Sequence, residues 1–260
     1  MDTYYLIVLF IFGTIFGSFF NVVGYRIPRG ESIVSPPSRC PKCDHRLTIL
    51  ELVPILSYIF QLGRCKNCKQ PIPPFYAIFE FSTGVLFALS YYIFGFSYEF
   101  IIALIFSSMC IILIISDFHF FIIPDEILVA ALIPTFLVIL ISNGISGFVL
   151  SFIGGLIGFA FMFAIKVLGD YSFKKESMGG GDIKLMFVFG VVLGYEMAVI
   201  SIVVASFIGL PISLILLFNK KLKDRVIPFG PFLCVAALIL LFGEYDMPKF
   251  LDLVQKVSLL

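Results

Sequence analysis

The chain has 260 residues, of which 60% are hydrophobic and 13% charged, and its mean hydropathy is +1.08. Soluble globular proteins carry about 25% charged residues, so this composition excludes an ordinary soluble domain. The net charge is only +1, and we expect the lipid bilayer, not a nucleic acid, as a partner. The sequence holds 2 histidines and no H-E-x-x-H motif, which argues against a zincin site and against a Ser-His-Asp triad.

Apolar runs separated by gaps rich in helix breakers predict an all-α polytopic membrane protein. An α-helix needs roughly 20 apolar residues to cross a bilayer. The eight expected transmembrane helices cover about 4–24, 74–95, 100–116, 127–142, 146–166, 185–198, 200–218 and 231–243. The uncharged stretch 127–165 is too long for one crossing, and Ser142-Asn143-Gly144 predicts a hairpin within it.

The distribution of Lys and Arg predicts the orientation of these spans. Residues 26–69 hold eight basic residues, and residues 166–184 and 220–225 hold four each. The segments 95–99 and 143–145, which the eight spans place on the opposite side, hold none. We therefore expect both termini outside and the three basic loops in the cytoplasm.

Four cysteines lie in the one polar stretch of domain-like length, residues 26–73. Cys40-Pro-Lys-Cys43 and Cys65-Lys-Asn-Cys68 are two C-x2-C turns separated by 21 residues. Two such turns direct four thiolates at one tetrahedral zinc ion. Two disulfides or free thiols are the alternative, which a reducing cytoplasm disfavours. We expect a structural Zn²⁺, because four cysteine ligands leave no open position for water.

The expected domains follow from these features. Residues 1–25 form the first transmembrane helix, and residues 26–73 form a small cytoplasmic zinc-ribbon-like loop domain. Residues 74–260 form a seven-helix membrane domain. Cys110 and Cys234 lie within apolar runs, where cysteine usually behaves as a small apolar residue, and we expect both to serve packing.

Two aspartates lie at the cytoplasmic ends of expected spans. Asp117 follows the uncharged run 100–116, and Asp182 follows Gly179-Gly180-Gly181. A carboxylate at a membrane edge is costly and is by default a functional candidate. Two carboxyls a few ångströms apart share a proton over part of the pH range, so one can activate water while the other protonates a scissile amide. Glycine, which lacks Cβ, lets backbone pass close to a substrate strand.

Structural roles for these acids stay open alternatives. Asp182 could be a helix N-cap, and Asp125 could cap or lead the span that begins near 127. Asp117 could pair with Lys184 or lie among lipid headgroups. Glu80, near the cytoplasmic end of its span, would face a polar cavity or a partner helix, because lipid would exclude it.

A different class of protein, a proton- or ion-coupled transporter, would also place carboxylates at the membrane edge. Such a transporter gives no reason for a zinc loop or for the glycine run before Asp182. Many transporters also contain repeated halves, and the sequence shows no internal repeat.

Taken in order, these motifs resemble those of the bacterial type IV prepilin peptidases. The stretches that carry the resemblance are residues 17–28 (GSFFNVVGYRIP), the paired C-x2-C loop, residues 73–80 (PPFYAIFE), Asp117 with Ile123-Pro124-Asp125, and residues 179–185 (GGGDIKL), which fit a G-x-G-D pattern. Each is weak alone, but their order and spacing together are highly specific.

The resemblance implies an aspartyl protease of the bacterial cytoplasmic (inner) membrane that removes the leader of prepilins and pseudopilins by cutting between a glycine and a residue that is commonly phenylalanine. By that match Asp117 and Asp182 are the catalytic pair, and Asp125 is a supporting residue. We further expect the three glycines and Lys184 to position the substrate, with Glu80 in support. The family also methylates the new N-terminus with S-adenosylmethionine, a function associated with the N-terminal cytoplasmic region. The sequence assigns no residues to that methyl donor.

Overall fold

The structure, a computed structural model, describes residues 2–174, 176, 178–218 and 227–243. Within these residues the chain is helical and holds no strand, which confirms the predicted all-α class. The α-helices are α1 (Asp2–Arg26), α2 (Leu56–Phe60), α3 (Phe75–Phe94), α4 (Tyr98–Phe120), α5 (Asp125–Phe173), α6 (Gly180–Phe218) and α7 (Gly230–Phe242). Two short 3₁₀ turns, Ile27–Arg29 and Ile49–Leu52, lie between α1 and α2.

Five of the described helices, α1 and α3 to α6, are long and apolar enough to cross a membrane, and α7 is apolar but shorter. The chain is therefore a multi-pass membrane protein. The expected number of eight spans is not confirmed by this criterion, because α5 and α6 each contain two of the predicted runs.

The long helix α5 reverses direction at Gly144, whose backbone is non-helical (φ 66°, ψ −166°). The ring centroid of Phe136 lies 4.9 Å from that of Phe148 and 6.3 Å from that of Phe152. In a continuous helix, residues 136 and 152 would be about 24 Å apart. The chain therefore folds back here, as Ser142-Asn143-Gly144 predicted.

A second reversal divides α6 at Gly194 (φ 80°, ψ 161°). The Ser201 hydroxyl lies 3.9 Å from the Met186 sulfur, although a continuous helix would separate these residues by about 22 Å. The described chain thus contains eight apolar helical segments at the places of the eight predicted runs. That each segment crosses the bilayer stays a prediction.

The chain divides into two compact units, Met1–Phe100 and Ile101–Leu260. In the first, α1 packs on α3 so closely that a Cβ on Gly13 would lie 2.8 Å from the Gly84 Cα. In the second, α5 meets α6 where Gly154 faces Gly190, and a Cβ on either glycine would overlap the other's backbone. Small residues allow such close helix packing in membranes. The division predicted at residues 25 and 73 stays a prediction.

Candidate active site

Asp117 and Asp182 lie together in the second unit. Asp117 belongs to the last turn of α4, and Asp182 to the first turn of α6. Their carboxyl groups are near enough to interact electrostatically, and the two residues are 7% and 9% exposed. The end of one apolar helix and the start of another therefore hold two buried carboxyl groups within range of each other's charge.

The chain turns sharply just after Asp117. Helix α4 ends at Phe120, and Phe121 has a left-handed backbone (φ 57°). The Phe121 N–H donates to the Asp117 carbonyl at 3.0 Å, and the Ser116 hydroxyl donates to the Ile122 carbonyl at 2.6 Å. These bonds fix the loop that carries the chain from the Asp117 turn to the start of α5.

Two glycines make room for Ile123 of this loop. A Cβ on Gly181 would lie 2.9 Å from the Ile123 Cβ. A Cβ on Gly230, the first residue of α7, would overlap the Asp117 carboxyl oxygen and lie 3.3 Å from the Ile123 Cδ1. The starts of α6 and α7 therefore both require a residue without a side chain at the points where they approach this loop.

Gly230 also has an electrostatic role that the sequence analysis missed. Its backbone N–H lies within hydrogen-bonding reach of the Asp117 carboxyl group. The amino end of a helix favours negative charge, so α7 is oriented to stabilise a carboxylate at Asp117. The sequence carries one signal of this helix start, Pro231 directly after Gly230, because proline favours the first turn of a helix.

The three glycines before Asp182 are not equivalent. A Cβ on Gly179 or Gly180 would have nothing within 4 Å, in contrast to Gly181. The first two leave open space along the backbone, whereas the third serves packing within the chain. Because α6 begins at Gly180, Asp182 lies inside the first turn and not at the N-cap.

Lys184 pairs with Asp125, and not with Asp117 as one alternative had it. The Lys184 ammonium lies 2.7 Å from an Asp125 carboxylate oxygen. Asp125 is the first residue of α5, so this ion pair joins the starts of α5 and α6. Both side chains are more than half exposed, and such pairs contribute about 0–1 kcal/mol.

Two buried thiols lie close to the aspartates. The Cys234 thiol is within hydrogen-bonding reach of Cys110 and lies near Asp117 and Asp182. Both cysteines have no exposed surface, which agrees with the expected packing role. Their proximity could not be read from the sequence, because they belong to different helices.

The four cysteines of the loop domain converge on one point. Their sulfur atoms all lie within 4.8 Å of one another, and two of the separations are 3.8 Å (Cys40 to Cys68) and 4.0 Å (Cys43 to Cys65). A tetrahedral shell with zinc–sulfur bonds of about 2.3 Å separates its sulfurs by about 3.8 Å. The four residues therefore fit a metal ion of this kind.

The two C-x2-C turns have the same backbone fold. In both, the amide of the first cysteine donates at 2.9 Å to the carbonyl five residues later. The residue after the second cysteine, Asp44 or Lys69, has a left-handed backbone with φ of 55° or 57°. The loop domain thus contains two equivalent turns, one at each of the paired C-x2-C motifs.

Glu80 of α3 faces α1 and the loop domain. Its carboxylate accepts a hydrogen bond of 2.7 Å from the Ile55 backbone N–H, and the Ser18 hydroxyl lies nearby. A Cβ on Gly17 would lie 2.8 Å from the Glu80 Cα. Of the two expected surroundings, the structure shows the partner helix, and it adds a bond to the loop domain.

Comparison with known proteins identifies related chains along most of the sequence. Residues 11–94 match the bacterial Peptidase A24 N-terminal domain, and residues 104–214 match the type IV leader peptidase family. No solved structure matches the chain.

Curated relatives carry the name prepilin leader peptidase/N-methyltransferase, among them the following three. The Bacillus subtilis protein is 36% identical to this chain, over 92% of this chain and 95% of the length of the relative. The Myxococcus xanthus protein is 32% identical, over 82% of this chain and 63% of the length of the relative. The Aeromonas hydrophila protein is 30% identical, over 92% of this chain and 91% of the length of the relative. The chain therefore belongs to the type IV leader peptidase family.

Proposed function

We propose that this protein is a membrane aspartyl endopeptidase that removes the leader of type IV prepilins or pseudopilins after a glycine. The observation that carries the proposal is the pair of buried carboxyl groups, Asp117 and Asp182, at adjoining helix ends. The open backbone at Gly179 and Gly180 leaves space beside them for an extended substrate strand. Extended backbone at this depth needs protein or water as its surroundings.

The proposed reaction divides acid and base roles between the two carboxyl groups. The Gly230 N–H stabilises a carboxylate at Asp117, so Asp117 takes a proton from the attacking water. The water oxygen bonds to the scissile carbonyl carbon while Asp182 gives its proton to the carbonyl oxygen. The carbon–nitrogen bond then breaks, the proton held by Asp117 goes to the leaving amine, and Asp182 recovers its proton as the carboxyl group forms.

The four cysteines of the loop domain would hold a structural Zn²⁺. The sulfur separations fit the ion, and four thiolates close its coordination shell. The ion would stabilise the fold of residues 26–73 and would take no part in hydrolysis. Its content in the purified protein is the direct test.

The second proposed activity is methylation of the amine that cleavage releases. S-adenosylmethionine would supply the methyl group, as the names of the curated relatives imply. We place this activity in the N-terminal unit, which contains the loop domain. The residues that bind the methyl donor are not assigned.

We further propose that the peptidase site faces the cytoplasm from the bacterial cytoplasmic membrane. The support is the concentration of basic residues in residues 26–69 and 166–184. The third basic loop, residues 220–225, lies outside the described residues. The transporter alternative is not favoured, because the chain belongs to a peptidase family.

Cleavage of a defined substrate tests the proposal. The purified protein in detergent is incubated with a prepilin that has a Gly-Phe junction, with and without S-adenosylmethionine, and the products are identified by mass spectrometry. Cleavage at the junction, with one methyl group added when the donor is present, is the expected result. If the folded protein leaves the substrate whole but carries ions across vesicle membranes, the transporter alternative replaces the peptidase.

A further inference from the structure

One part of the loop domain turns its apolar side chains outward. This part, residues 49–62, is called here the apolar segment and contains the 3₁₀ turn Ile49–Leu52 and helix α2. Phe60 is 82% and Leu62 is 85% exposed. The large apolar side chains that it exposes most are Ile49, Leu50, Leu56, Ile59, Phe60 and Leu62. Large exposed apolar patches mark binding or membrane surfaces.

The one charged side chain of the apolar segment, Glu51, is turned inward. The Glu51 side chain is 5% exposed and accepts hydrogen bonds from the backbone N–H and the hydroxyl of Thr48 at 2.9 and 2.8 Å. The Thr48 N–H, with the neighbouring His45, holds the pKa of Glu51 at about 2, so this covered group is ionised at neutral pH. In a surface that faces water, charged side chains are normally exposed and large apolar side chains are covered. The apolar segment shows the opposite arrangement.

The backbone of α2 satisfies its own hydrogen bonds. The N–H groups of Ser57, Ile59 and Gln61 each donate at 3.0 Å to the carbonyl four residues earlier, and the Gly63 N–H donates to Tyr58 at 2.9 Å. Hydrocarbon offers no partners to unpaired backbone groups. This part of the chain can therefore leave water without leaving those amides unpaired.

A hydrogen bond fixes the apolar segment beside a membrane-spanning helix. The Ile55 N–H donates to the Glu80 carboxylate at 2.7 Å. Glu80 is the sixth residue of α3, so its Cα lies about 8 Å along the helix axis from the first residue. The middle of the apolar segment is consequently held alongside the first turns of α3.

Basic residues flank the apolar segment on both sides. Arg46 precedes it, and Arg64, Lys66 and Lys69 follow it. Anionic headgroups attract such residues, and segments that lie in the membrane interface combine an apolar face with basic flanks. The charges thus match a lipid surface.

We propose that the apolar segment inserts into the bilayer interface, with Phe60 among the acyl chains and the flanking basic residues among anionic headgroups. The loop domain then lies against the membrane beside α1 and α3, and does not project freely into the cytoplasm. The proposal is independent of the peptidase activity, and its test uses no substrate.

Depth-dependent fluorescence quenching tests the insertion. The sequence contains no tryptophan, so Phe60→Trp gives the full chain a single indole emitter. The variant is reconstituted into vesicles that contain phosphatidylglycerol and a phosphatidylcholine. The acyl chains of the phosphatidylcholine carry bromine, which quenches indole emission. We expect Phe60→Trp to lose as large a fraction of its emission as Phe19→Trp, which places the indole on the exposed face of α1. Lys42→Trp, at an exposed position of the first C-x2-C turn and outside the basic residues assigned to the headgroups, is the matched control in the loop domain and should keep its emission.

Two results would overturn the proposal. If aqueous acrylamide, and not bromolipid, quenches Phe60→Trp, the apolar segment faces water. If neither quencher acts, a protein partner or a second copy of the chain covers it. Ile59→Trp repeats the measurement at the adjacent exposed residue, so the result does not depend on a local defect at residue 60. Circular dichroism establishes that each variant is folded.

Discussion

The backbone N–H of Gly230 lies within hydrogen-bonding reach of the carboxyl group of Asp117. This contact joins the first residue of α7 to the last turn of α4. The same glycine leaves no room for a Cβ, which would overlap the Asp117 carboxyl oxygen. The position of α7 is therefore part of the proposed catalytic geometry, and it can be tested without changing either aspartate.

Gly230→Ala should impair cleavage more than it impairs folding. The added methyl group displaces the Asp117 carboxyl group, and a misplacement of 1 Å in a catalytic site costs about 100-fold in rate. The measurement is kcat and KM for prepilin cleavage, together with the melting temperature in detergent. Gly209→Ala is the control, because its Cβ would meet the Phe232 ring at 3.3 Å without touching Asp117. Equal kcat values for the two variants would contradict the assigned role of Gly230.

The glycine run before Asp182 predicts unequal effects of the same substitution. Gly181→Ala places a Cβ 2.9 Å from the Ile123 Cβ, whereas Gly180→Ala meets nothing within 4 Å. We expect Gly181→Ala to lower the thermal stability of the protein and Gly180→Ala to leave it near that of the wild type. Thermal unfolding in detergent measures both. A larger loss for Gly180→Ala would show that Ile123 does not pack against Gly181 as described.

Gly190→Ala should weaken the packing of α5 on α6. Its Cβ would overlap the backbone of Gly154, and overpacking typically costs about 1–3 kcal/mol. The variant should unfold at a lower temperature. Ala160→Leu adds more volume at an exposed position of α5 and serves as the control. Unchanged stability of Gly190→Ala would be inconsistent with direct backbone contact between these helices.

Metal content should depend on the cysteines of the loop domain alone. We expect about one zinc ion per chain in the wild type, because four thiolates complete one shell. Cys40→Ser and Cys65→Ser should lose it, since each removes one of the convergent thiolates. Elemental analysis of the purified proteins is the measurement, with Cys234→Ser as the control that keeps its metal. A wild type that purifies folded and metal-free, or cysteine variants with undiminished zinc, would refute the zinc site.

The sequence was sufficient to single out Asp117 and Asp182, because charges that border long apolar runs stand out. It was also sufficient for the reversal at Gly144, where breakers interrupt a run too long for one crossing. The predicted span 100–116 stops before Asp117, yet α4 continues to Phe120. Hydropathy changes at the first charge, whereas the helix continues until the left-handed Phe121 ends it.

Other parts of the site depend on contacts between distant residues and could not be predicted. The backbone N–H of Gly230 faces the Asp117 carboxyl group, and the backbone N–H of Ile55 donates to the Glu80 carboxylate. In each case one partner is a backbone N–H, which every residue except proline possesses, so residue type carries no signal of the bond. The pairing of Lys184 with Asp125 was missed for a related reason. From the sequence alone Lys184 could pair with either Asp117 or Asp125, and the choice depends on where α5 and α6 begin.

The central claim is that Asp117 and Asp182 together perform the cleavage. Asp117→Asn and Asp182→Asn keep side-chain size and remove the ionisable carboxyl group, so each should abolish cleavage of a Gly-Phe prepilin while helix content is retained. Asp125→Asn is the matched control, because Asp125 forms an exposed ion pair with Lys184, and it should keep most of the activity. The measurement is the rate of leader release by mass spectrometry for the three variants and the wild type. Cleavage by either Asp117→Asn or Asp182→Asn at a rate near that of the wild type would contradict the account.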